Sequence, residues 1–94
     1  MNTINETDLI DAIRNKAIKK FNIVQTAEGK YRIFVNLSKI SISSDWKEGD
    51  LTLISTRNSP REWASLDRLE KHIRMKYGAI PAISLSLNFD LPEN

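Results

Sequence analysis

The chain has 94 residues, 14 basic and 12 acidic, for a net charge of +2; 40 % are hydrophobic and 28 % are charged. That length suits one domain, and that balance of apolar and charged residues suits a globular fold rather than a disordered chain. There is no cysteine, so disulfides, thiolate metal sites and cysteine nucleophiles are excluded too.

A charge of +2 is ordinary for a globular domain and does not by itself point to nucleic acid. Met1-Asn2-Thr3-Ile4-Asn5-Glu6 has neither a basic n-region nor an apolar h-region, unlike a signal peptide. No apolar run approaches the roughly 18–20 residues that span a bilayer. The expectation is one cytoplasmic domain over 1–94, ordered from about 6 to 89 with a loose tail over 90–94, and no membrane partner.

The first element is a predicted helix over 7–20. Asn5 or Thr7 offers a capping oxygen to its free amides, acids cluster at its start, and Lys16, Lys19 and Lys20 lie near its end. Leu9, Ile10, Ile13, Ala17 and Phe21 recur at helical spacing as one apolar stripe. A hairpin follows: a strand over 21–26, a turn at Gly29, and a strand in which Tyr31, Ile33, Val35 and Leu37 alternate with more polar positions.

Ile40 and Ile42 are out of phase with Ile33 and Val35, so a bulge or break is expected near Ser38 or Lys39. A turn containing Trp46 leads to a strand over 51–56. Ser59-Pro60-Arg61-Glu62 then reads as a capping box: serine at N-cap, proline at N1, glutamate at N3. The helix it opens is expected over 60–77, closed by Gly78 and Pro81. Trp63, Leu66, Leu69, Ile73 and Tyr77 would share its apolar face, with His72 on the polar side. The last strand, 83–89, alternates Ile83, Leu85, Leu87 and Phe89 with small polar residues.

The predicted order is α-β-β-β-α-β, an α+β fold with a mixed, mostly antiparallel sheet and both helices on one face. Leu66, Leu69, Ile73, Leu85 and Leu87 are expected to be buried together. The regular, uncharged last strand suggests a homodimer by edge pairing.

No catalytic, cofactor or metal site emerges. His72, the only histidine, has cationic helical neighbours in Arg68 and Lys76, whereas a general base needs an orienting carboxylate, so it reads as solvated. Asp67 and Glu70 precede Lys71 and Arg74 by four residues, which makes them helical ion pairs. Phosphate-binding glycine motifs and a nucleophile elbow are missing. Arg57, Arg61, Arg68 and Lys71 form the candidate partner surface, suited to a nucleic-acid backbone or an acidic protein, and Trp46 is a further candidate contact. Against these stands the simpler view of a solvated helix face.

Trp46-Lys47-Glu48-Gly49, Ser59-Pro60-Arg61-Glu62-Trp63-Ala64-Ser65-Leu66-Asp67-Arg68-Leu69, Lys71-His72-Ile73 and Ile80-Pro81-Ala82-Ile83-Ser84-Leu85 resemble partition-associated accessory proteins of plasmids and integrating conjugative elements. The resemblance spans roughly 31–87, with 39–45 as an insertion. It implies a mobile-element setting and a non-enzymatic accessory role exerted by binding protein or nucleic acid. An inhibitor of host defence, such as restriction or CRISPR, is the alternative, and a weak electrostatic nucleic-acid binder a third. The α-β-β-β-α order also resembles the double-stranded-RNA-binding fold, but the lysine cluster expected there at the second helix is replaced by Ser59-Pro60-Arg61-Glu62.

Overall fold

The computed structural model describes residues 3–37 and 50–88. In chain order these form β1 (Thr3–Asn5), α1 (Glu6–Arg14), β2 (Ile18–Gln25), β3 (Tyr31–Leu37), β4 (Asp50–Ile54), β5 (Glu62–Trp63), α2 (Leu66–His72) and β6 (Ile83–Ser86); α2 runs on into a π-helical turn, Ile73–Tyr77. The class is α+β, as expected. The expected break near Ser38, the 39–45 insertion, Trp46 and the 90–94 tail lie outside the described residues.

Of the two candidate caps, Asn5 is the one used, its side chain accepting from the Asp8 amide at 2.8 Å. The helix is shorter than its apolar stripe suggested. It stops at Arg14 because Lys16 takes a left-handed conformation, φ 56°. The Lys16 amide then bonds the Ile13 carbonyl and the Ala17 amide the Ala12 carbonyl, the pair of bonds that closes a Schellman motif. Lysine occupies the position glycine usually fills, which explains why the stop was not visible in the sequence. Ile18, Phe21 and Ile23 are thereby released into β2.

The second helix also departs from expectation. Pro60 bridges Ile54, the Arg61 amide donates to the Leu53 carbonyl, and Glu62 and Trp63 pair with Arg32 and Tyr31 of β3. The segment expected to open a helix is instead extended. Ser59 closes a 55–59 turn in which Asn58 has φ 61°. The helix begins six residues later, where the Ser65 hydroxyl accepts from the Arg68 amide at 3.2 Å. Strand pairing outweighs a local capping signal that contributes only about 1 kcal/mol.

Among the described residues the sheet has six strands in the order β1-β4-β3-β2-β6, with β5 on β3. The antiparallel meander β2-β3-β4, with a last strand parallel to β2, gives the mixed sheet that was expected. The short strands β1, parallel to β4, and β5 are additions. Register places Phe21 beside Val35, Val35 beside Leu51, Ile23 beside Ile33 and Ile4 beside Leu53. These residues are buried in one cluster with Leu9 of α1, Leu69 of α2, and Ile73 and Tyr77 of the π turn. Each such side chain contributes about 1.5–3 kcal/mol by leaving water.

The last strand corrects a third expectation. Ile83 and Leu85 sit in register beside Phe21 and Ile23, which places them on the core face. Yet Ile83, Leu85 and Leu87 are 48 %, 47 % and 46 % exposed. Leu69 and Ile73 are buried and Leu66 partly so, but the expected burial of Leu85 and Leu87 with them does not occur. β6 is an edge strand, and an open groove separates it from α2.

Candidate functional site

Side chains from three other parts of the chain converge on the carboxylate of Glu6. Glu6 is the first residue of α1, His72 the last of α2, Tyr77 the last of the π turn, and Arg61 lies just before β5. Glu6 Oε2 accepts from the Tyr77 hydroxyl at 2.9 Å and from Arg61 Nη1 at 3.1 Å, and lies 3.1 Å from His72 Nε2. The rings continue the cluster. Trp63 lies 5.3 Å from His72 and carries the Arg61 guanidinium 5.1 Å above its centre. His72 meets Tyr77 edge-on at 5.2 Å, and Tyr77 meets Phe21 edge-on at 5.7 Å.

His72 is therefore not the solvated histidine that the helical wheel implied. Its side chain is 16 % exposed and has a carboxylate partner from the far end of the sequence. On an ideal α-helix, residues five apart point about 140° away from each other. The π turn, closed by the Gly78 amide on the Ile73 carbonyl at 2.9 Å, brings positions five apart onto one side. Tyr77 and His72 consequently meet. Neither the turn nor a partner 66 residues away leaves a signal at helical spacing.

Burial raises the Glu6 carboxyl, but hydrogen bonds from Tyr77 and His72 and the charges of Arg61 and His72 together outweigh it and hold Glu6 below its ordinary range. Burial pushes the Tyr77 phenol far up, and the hydrogen bond to Glu6 and the Glu6 charge push it further. The carboxylate stays ionised and the phenol neutral, which is the pairing that best satisfies both. Chemically this is an orienting dyad for a histidine. It is also a closed set, because phenol, imidazole and guanidinium converge on one oxygen. A cavity of mixed polar and apolar lining lies beside it, with Ile10, Ile54, Ser55 and Asn58 in its wall together with Glu6 and Arg61. Among the described residues, no group of three or more His, Asp or Glu could hold a metal ion, and no helix is long and apolar enough to cross a membrane.

The sequence-derived surface separates. Arg61 is bound to Glu6 and Trp63 and is only partly exposed. Arg57 lies in the 55–59 turn, where its amide donates to the Ser55 hydroxyl at 3.2 Å. Arg68 and Lys71 are exposed on α2. Trp46 is outside the described residues. Trp63 is buried as expected, but on a strand rather than a helix. Glu70 pairs with Arg74 at the surface, as the spacing of four implied.

The second candidate surface is apolar. Between α2 and β6 runs a groove of ≈ 490 Å³ whose lining includes Ile23, Leu69, Ile73 and Ile83, with Asp67 and Arg74 among its polar members. Ile83, which lines it, is half-exposed, as are Leu85 and Leu87. Comparison with protein-family models, curated proteins and solved structures finds no match for this chain.

Proposed function

We propose that this chain is a non-enzymatic accessory protein that acts by protein–protein contact at β6, in the mobile-element setting that the resemblance over 31–87 implies. One observation carries the reading: the uncharged edge strand β6 presents half-exposed Ile83 and Leu85, in register with buried Phe21 and Ile23, and half-exposed Leu87 follows directly after it. Edge strands that serve no partner are commonly guarded by lysine, proline or a bulge, and strand addition at such an edge is a recurrent mode of protein recognition.

The Glu6 cluster supports the same reading from the other side. The Tyr77 hydroxyl, Arg61 Nη1 and His72 Nε2 all meet one Glu6 oxygen, which ties α1 to α2, to the π turn and to the residue before β5. Nucleic acid is the less favoured partner, because Arg61 is neutralised by Glu6 and Arg74 by Glu70, which thins the basic surface.

A photo-crosslinking residue placed at Leu85 tests this in cells carrying the surrounding genes, with the same group at Arg57 as control. The expected result is a discrete protein adduct from position 85 that is lost on Ile83→Lys and absent from position 57. Adducts to nucleic acid, or equal yields from both positions, would overturn the reading.

A further inference from the structure

The backbone of β6 shows which of its groups are free. The Phe21 amide donates to the Ala82 carbonyl at 2.9 Å, and the Asn88 amide donates to the Gln25 side-chain oxygen at 3.0 Å. Phe21 is in parallel register with Ile83, and Ile23 with Leu85. In such a ladder the even-numbered residues Ala82, Ser84 and Ser86 turn their N–H and C=O groups toward β2. The odd-numbered residues Ile83, Leu85 and Leu87 turn theirs to the outer edge, where, among the described residues, the sheet ends. The residues with free backbone groups are thus the same three with half-exposed aliphatic side chains.

The segment 83–87 reads Ile-Ser-Leu-Ser-Leu. In apolar and hydroxyl character it is a palindrome centred on Leu85. Reversed and laid against itself, it sets Leu85 opposite Leu85 and Ile83 opposite Leu87 on one face, and Ser84 opposite Ser86 on the other. Each of the aliphatic pairs is of the hydrogen-bonded type, exchanging two N–H···O=C bonds. From Gly78 to Asn88 there is no charged residue, so no like charges meet. The other edge strand, β1, has three residues and runs straight into α1, which leaves little to pair.

We propose that β6 pairs with β6 of a second copy of this chain, antiparallel about a two-fold axis at Leu85, joining two sheets into one and the two α2–β6 grooves into a continuous apolar surface. This rests on the reading of β6 as the binding edge and names its occupant. The isologous arrangement needs a self-complementary patch, and the palindrome supplies one. From the three exposures, each copy contributes roughly 250 Å² of aliphatic side chain, below the about 800 Å² per partner of a standard stable interface. The dimer is therefore reversible and concentration-dependent.

The chain has no cysteine, so a single introduced thiol reports its own mate. Residues in a hydrogen-bonded antiparallel pair have Cα atoms about 5.5 Å apart, within the range a disulfide spans. Leu85→Cys should oxidise quickly to a covalent dimer, while Ser84→Cys, whose mate would be Ser86, should lag well behind. Sedimentation equilibrium should show wild-type dimer at high concentration, with Leu85→Lys weakening it roughly a hundredfold while its amide NMR spectrum stays folded. A wild-type monomer at the highest soluble concentration, or equal oxidation of the two cysteine variants, would overturn the proposal. If residue 85 then still crosslinks to a different protein in cells, the binding edge stands and the self-pairing alone falls.

Discussion

The Tyr77 hydroxyl donates to Glu6 Oε2 at 2.9 Å, tying the end of the π turn to the first residue of α1 across 71 positions of sequence. With Arg61 and His72 on the same oxygen, this carboxylate joins parts of the fold that share few direct contacts.

Glu6→Gln should therefore destabilise the protein by about 1.5–3 kcal/mol near neutral pH, the range for hydrogen bonds to a charged group. The pH dependence has a definite sign. The folded carboxyl is held below its ordinary value of 4.5, so its contribution is fully present above that pH and is lost as pH falls through the lower folded value. Urea titrations from pH 7 to 3 should show wild type and Glu6→Gln converging. A gap that stays constant over that range would refute the assignment.

At the alkaline end the sign reverses. Tyr77 is raised above its ordinary value of 10.0, so its contribution is complete below pH 10 and declines as pH climbs beyond it. Tyr77→Phe keeps the ring contacts with Phe21 and His72 and removes only the hydroxyl. It should cost about 1–2 kcal/mol at neutral pH and flatten the alkaline fall in stability, read by thermal melts in that range.

In the core, Leu69 is 1 % exposed while Leu85 is 47 % exposed. Leu69→Ala should cost about 2–5 kcal/mol, and Leu85→Ala much less when measured at a concentration where the chain is monomeric. Equal losses would show that the groove between α2 and β6 is closed in solution.

Backbone strain makes a stabilising prediction. Lys16 holds φ 56° at the end of α1, where a side chain is disfavoured by roughly 1 kcal/mol. Lys16→Gly should raise stability by up to about 1 kcal/mol, seen as a higher denaturation midpoint with an unchanged slope. A loss of stability would mean that the lysine side chain is needed there.

The basic surface is tested by Arg57→Glu, Arg68→Glu and Lys71→Glu together, leaving Arg61 to its partner. Stability should change by under about 0.5 kcal/mol per site, and a random duplex should bind neither wild type nor variant at physiological salt, followed by fluorescence anisotropy. Tight wild-type binding that the triple change abolishes would restore a nucleic-acid role.

Alternation by itself determined β3, the meander around it, and the presence of a regular last strand, because a period of two depends only on neighbouring residues. It also determined that Ile83, Leu85 and Leu87 share a face. Composition excluded cysteine chemistry outright. The ends of elements were decided by tertiary structure. The Ser59–Glu62 capping box lost to pairing with β3, and the stripe running through Ala17 was cut by a lysine in a glycine's conformation, since local preferences of about 1 kcal/mol yield to several paired and buried residues. The Glu6 cluster was illegible for a geometric reason: it needs residue 6 brought beside residues 61, 72 and 77, and a π turn to bring His72 and Tyr77 together. Only the fold decided as well that β6 stands at an edge, where an apolar face that looked like core in the sequence remains half exposed.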